Sequence, residues 1–177
     1  MTVFEPPTEV MEASDSLVGQ LRMAAAEQQK EHVEDFLVGG EFKKQLWIRY
    51  KPLDPGPMDR FFARRSEVMG NLAGLKGELP ITELNMDLMA QACVGIVGAD
   101  INGNNKEVLE DEDGPLTHLD YRVTEYLHIP WDGLDRPTSR DVIMALFGQN
   151  AMAIIDHGDD LAGWMRDPSQ KPNVGES

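Results

Sequence analysis

Glycine and proline cut this chain into short pieces, and that punctuation limits what it can fold into. Gly39-Gly40, the run Asp54-Pro55-Gly56-Pro57, the breaks at Gly70, Gly74, Gly77 and Pro80, and the connection HIPWDGLDRP each separate one periodic segment from the next. The longest apolar stretches left between them, such as AMAII at 151–155, are far too short to cross a bilayer. With 177 residues the chain fits one domain with loose ends. A hydrophobic content of 41% is enough for a core and too high for a wholly disordered chain.

The segments read mostly as helices. Residues 1–13 carry Pro6-Pro7 and read as a flexible arm. Ser14 or Asp15 caps a helix predicted to about residue 35, with Leu17, Leu21, Ala24 and Ala25 at helical spacing. Gly39-Gly40 then separates Phe36–Val38 from Gln45–Tyr50, where Leu46, Ile48 and Tyr50 alternate with Trp47, Arg49 and Lys51. This predicts a small hairpin or strand pair near residues 36–51. Helices follow over MDRFFARRSEVMGNLAGL, over NMDLMAQACVGIVGAD with Asn85 as cap, from Thr117 to His128, from Ser139 to Phe147, and from Gln149 to Arg166. The expected fold is therefore mainly α: a compact helical domain of four to six helices with one small hairpin, spanning 14–166, ahead of a disordered tail at 167–177.

Charge is uneven along the chain. Of the net −15, residues 1–40 carry −6, residues 41–80 carry +3, and residues 81–177 carry −12. Excess acid disfavours nucleic acid, because phosphate neutralisation needs Lys and Arg, and it disfavours anionic lipid. The N-terminus has neither a basic n-region nor an apolar h-region, so no signal peptide is expected. One cysteine, Cys93, permits no intramolecular disulfide, and its apolar setting predicts a buried, inert thiol.

Catalytic patterns are missing. There is no phosphate-binding glycine loop, no G-x-S-x-G elbow and no Walker lysine, and Gly95, Gly98 and Gly103 make no dinucleotide fingerprint. Asp100, Asn102 and Asn104 match the first positions of a calcium loop, but Asn105 stands where glycine is needed and Asp111 where glutamate is expected. The loop reads as a polar turn leading to a short strand around Val108-Leu109. His157, with Asp156, Asp159 and Asp160, reads as part of a solvated acidic helix face from which Leu161 and Trp164 turn inward. No catalytic residue, metal or cofactor is expected, and the chain reads as a non-enzyme. A contact surface for a partner is expected at Met58, Phe61, Phe62 and Arg65 inside the basic island, with Trp164 and Met165 as a second one.

In order along the chain, LVGQLRMAAAEQ, LWIRYKPLDPG, DLMAQACVGIVG, LTHLDYRVTEYL and DVIMALFGQNAMAIIDHGDDLAGWM resemble the tail assembly chaperones of long-tailed bacteriophages, particularly those of actinobacteria. The resemblance covers roughly residues 15–177. It implies a non-catalytic protein of the infected host's cytoplasm, absent from the mature virion, that keeps the long tape measure protein soluble while tube subunits polymerise around it. It also implies the tail tube subunit and a longer, frameshifted form of the chain as further partners, and leaves self-association open. The 10 methionines suit an adaptable hydrophobic surface or an ordinary helical core. The alternatives are an acidic nucleic-acid mimic or inhibitor, or another structural protein of the phage tail or neck.

Overall fold

A computed structural model describes residues 16–29, 32–71 and 79–168. The expected arm at 1–13, the caps at Ser14 or Asp15, and the tail from 169 lie outside the described residues. The chain divides into two compact units, one ending at His32 and the other beginning at Val33. The first holds helix α1, Leu17–Gln29. Its N-terminus is closed by Ser16, whose Oγ accepts from the Gly19 amide at 3.0 Å. Leu17, Val18, Leu21 and Met23 are exposed on it.

The second unit contains strands β1 (Glu34–Leu37), β2 (Leu46–Tyr50), β3 (Cys93–Gly98), β4 (Glu107–Val108), β5 (Glu110–Asp111) and β6 (Gly114–Pro115). Its helices are α2 (Pro55–Asn71), α3 (Leu79–Ala92), α4 (Tyr121–Tyr126), α5 (Ser139–Leu146) and α6 (Ala151–Arg166). β1 to β4 form one antiparallel sheet in chain order, and β5 and β6 form a second, two-stranded one. No described helix is long and apolar enough to cross a membrane.

The expectation of a mainly α fold with one strand pair is therefore corrected. This is an α/β mixture with a four-stranded antiparallel sheet. The decisive segment is CVGIVG, which the helical reading assigned to the second half of a helix starting at Asn85. It is instead β3, which follows Ala92 of α3 directly and pairs along β2. Every residue of it is buried or half-buried. A short continuous apolar run has no period that separates strand from buried helix. Its β-branched residues Val94, Ile96 and Val97 favour the strand, and its two glycines disfavour a continued helix. Asn85 is no cap either, because α3 already begins at Leu79 and Pro80 occupies its first turn, where a missing amide costs little.

The predicted β1–β2 pair forms around Gly39 and Gly40, whose φ values of 77° and 59° suit glycine. Phe36, Ile48 and Ile96 lie opposite one another across β1, β2 and β3 and share one face of the sheet. That face meets α6, where Phe36 packs edge-on against Trp164 at 5.7 Å. The other face carries Trp47 and Val97, a cross-strand pair, both buried. There the Lys106 ammonium lies 3.6 Å over the Trp47 ring, whose Nε1–H donates to the Lys44 carbonyl. β2 is thus covered on both sides, and each large side chain it buries contributes roughly 1.5–3 kcal/mol.

The last helices are well capped. Thr138 and Asp141 form a reciprocal capping box on α5, and Asn150 accepts from the Ala153 amide at the start of α6. α6 buries Ile154, His157, Gly158, Leu161, Ala162 and Met165 along one stripe. It approaches α3 so closely that a Cβ on Gly158 would fall 2.5 Å from the Asn85 side chain. Gly158→Ala is therefore expected to cost roughly 1–3 kcal/mol by overpacking. Gly70→Ala, in α2 with nothing within 4 Å, should be neutral or stabilising. Urea denaturation of the two variants checks the contrast.

Candidate partner-binding site

Three of the basic island's eight Lys and Arg residues, Arg60, Arg64 and Arg65, lie on α2, and the structure sorts the island's arginines into paired and unpaired. Arg49 on β2 holds Asp35 of β1 in a two-bonded ion pair with N···O distances of 2.8 and 3.2 Å. Arg65 on α2 reaches Asp159 of α6 at 3.3 Å. Arg60 and Arg64 are exposed and have no acidic partner among the described residues. They stand four residues apart on one helix face, where like charges disfavour the helix unless something outside it compensates.

Both line a groove between α2 and α3. A cavity of about 220 Å³ is bounded by Leu53, Phe61, Leu84 and Leu88 on its apolar side and by Arg60, Arg64, Asp87 and Gln91 on its polar side. A second, of about 80 Å³, continues along the same seam past Arg64, Leu84 and Asp87 to Val68, Glu83 and Arg140. Arg140, from α5, binds both Asp87 oxygens at 2.9 and 2.8 Å and lies 3.7 Å from Glu83. That pairing, first through Asp87, raises the guanidinium's pKa further and offsets one of the two carboxylate charges on that wall. The arginines on the opposite wall stay uncompensated.

The six residues expected to bind a partner are not brought together as one free surface. Phe61 is buried and forms part of the groove floor. Met58 and Phe62 are half-buried against the core, and the Arg166 guanidinium covers the Phe62 ring at 4.1 Å. Arg65 is half-buried in its ion pair. Trp164 and Met165 are core residues at 3% and 4% exposure. They complete the inward stripe of α6, so the second expected surface is not a surface. Arg60, Arg64, Leu84 and Asp87, which shape the groove, went unread. The available signal was the Arg60–Arg64 spacing.

Next to the groove lies a polar junction of α2, α3 and α6. The Asn85 amide donates to the Ile155 carbonyl at 3.0 Å and to Asp159 at 3.2 Å, so Asp159 is held by two elements besides its own. The reading of α6 as a solvated acidic face fails here and at His157. His157 is buried beside Phe36, Tyr50 and Phe147. Its Nε2 lies 2.8 Å from the Tyr50 hydroxyl. Burial pushes the imidazole down to about 4, against a backbone hydrogen bond at Leu37 that works the other way. Burial likewise holds the Tyr50 phenol well above its ordinary value. The ring is thus neutral, and with one ring nitrogen donating to the Leu37 backbone, Nε2 is left to accept from the phenol O–H. Asp160, at the exposed edge, has its carboxyl raised by partial burial and by Asp156 and Asp159.

Cys93 is buried, within sulfur hydrogen-bond reach of the Gly95 and Thr117 carbonyls, and burial raises its thiol to about 12. The Asp100–Asp111 loop is closed by its own groups. Asp100 accepts from the Asn104 and Asn102 amides and from the Asn105 side chain, which hold its carboxyl below the usual range. Asp111 is taken by Arg122 of α4. Among the described residues no three His, Cys, Asp or Glu side chains gather as a metal-binding group.

Comparison with protein-family models, with curated proteins and with solved structures finds no match to this chain.

Two outcomes follow from the buried titratable groups. Above about pH 6.5 folded and unfolded chains both carry neutral imidazole at position 157. As the pH falls from there, the unfolded chain takes a proton that the folded chain refuses until about pH 4. Stability present at pH 7 is therefore lost through that window, by on the order of 3 kcal/mol from this ring. Urea titrations at pH 7 and 4.5 should show a smaller loss in His157→Gln than in the parent. The Cys93 thiol should resist a disulfide reagent in the native protein and react at once in denaturant.

Proposed function

We propose that this protein is a phage tail assembly chaperone. In this reading it is a non-catalytic binding protein whose α2–α3 groove takes up helical stretches of the tape measure protein. It keeps them dispersed in the cytoplasm of the infected host and is left out of the virion. The tail tube subunit and a longer frameshifted form of the chain belong to the same reading as further partners.

The observation that carries it is the groove itself. An apolar floor of Phe61, Leu84 and Leu88 lies beside two arginines with no acidic partner among the described residues, in a chain of net charge −15. An amphipathic helix laid in such a groove offers its apolar stripe to the floor and its carboxylates to the arginines. The surrounding acid repels other copies of the complex and so maintains solubility. Binding rather than chemistry is also supported by Cys93 and His157, which are buried in their uncharged forms.

Co-expression with the tape measure protein of the same phage tests the reading. Soluble tape measure protein should rise several-fold and co-elute with this chain on size exclusion. Arg60→Glu with Arg64→Glu should remove most of that gain while circular dichroism stays unchanged, since both side chains are exposed. Unchanged yield with no complex would refute the chaperone reading.

A further inference from the structure

The connection between α4 and α5 forms a knob closed by its own groups. Trp131 folds back over Gly133, where a Cβ would lie 2.6 Å from the indole, so glycine alone fits. The indole Nε1–H donates to the Asp135 carbonyl at 2.6 Å and closes the loop. Arg136 is spent on the Tyr121 ring, 3.9 Å away. At the tip, Leu134 is completely exposed, and Trp131 beside it is 44% exposed. Asp132 and Asp135 flank the leucine and have no cationic side-chain partner among the described residues.

A leucine between two unpaired carboxylates is the chemical complement of an apolar floor beside two unpaired guanidinium groups. At about 220 Å³ the groove cavity is small for a drug-sized ligand but of the right order for a side chain. Both features belong to the larger unit of one chain, and Arg140, six residues after Leu134, lines the smaller cavity and grips Asp87, which lines both. A chain that carries a feature and its complement can pair reciprocally with a second copy about a two-fold axis.

We infer that the α2–α3 groove of one copy receives the Leu134 knob of a second copy, and reciprocally, so that the free protein forms a two-fold dimer. Leu134 enters the Phe61–Leu84–Leu88 floor, while Asp132 and Asp135 meet Arg60 and Arg64. The inference does not depend on the identity of any client. If the groove also binds a client helix, the second copy and the client compete for it.

Sedimentation equilibrium of the full chain, without any client, tests this. The parent should dimerise in a concentration-dependent way, and Leu134→Asp should weaken the dimer by about tenfold or more with an unchanged circular dichroism spectrum. Arg60→Glu with Arg64→Glu in one chain, and Asp132→Arg with Asp135→Arg in another, should each be monomeric alone. Mixed, they restore both contacts at once and should form a one-to-one heterodimer. A parent that stays monomeric to about 0.5 mM overturns the inference. So does a Leu134→Asp variant that dimerises like the parent, or a mixture of the reversed chains that fails to pair.

Discussion

The hydrogen bond from Tyr50 to His157 is the interaction around which the larger unit is arranged. Tyr50 ends the strand that is covered on both faces, and His157 sits in the helix that covers one of them. Both polar groups are buried, and the Tyr50 hydroxyl and His157 Nε2 satisfy one another. An unmatched buried donor or acceptor would cost about 1–3 kcal/mol. Around the bond Phe36, Phe147 and the two rings themselves meet edge to face, an arrangement that fixes orientation as well as burying area. Sheet and helix are thereby locked in one relative setting. α3 packs closely on Gly158, and α2 packs on α3 and adds the Arg65–Asp159 pair to α6.

The groove lies where α2 packs on α3. Arg65 and Asn85 tie these helices to Asp159 of α6, and the seam between them is filled only in part. Phe61 closes its floor from α2, and Leu84 and Leu88 close it from α3. The charged residues at its mouth are divided unequally. Arg140 offsets part of the acid on the α3 wall, and no described acidic residue pairs with Arg60 or Arg64 on the α2 wall. A site of this kind is suited to recognising shape and charge together.

Legibility in the sequence followed the strength of local signals. The β1–β2 turn was readable because glycine alone is at ease with positive φ at Gly39 and Gly40. The closing helices were readable from the helical spacing of their apolar residues, while their caps, Thr138 with Asp141 and Asn150, are seen only in the structure. β3 was not readable, since a run buried on both faces carries no amphipathic period and its neighbours in α3 extend a helical one. His157 was misplaced because three nearby aspartates suggested a solvated face. The spacing of Ile154, Gly158, Leu161 and Met165 pointed inward all along. The groove was illegible for a different reason: its walls come from two helices that meet only in the fold, which no local pattern encodes.

Tyr50 and His157 lie 107 residues apart in the chain. A ribosome adding about 5–20 residues per second therefore leaves the phenol without its acceptor for roughly 5–20 s. For that interval β2, with Leu46, Trp47 and Ile48, emerges ahead of both β3 and α6. The nascent protein carries an uncovered apolar strand until its last helix arrives, so translation speed through the C-terminal third governs how long it is open to misassembly.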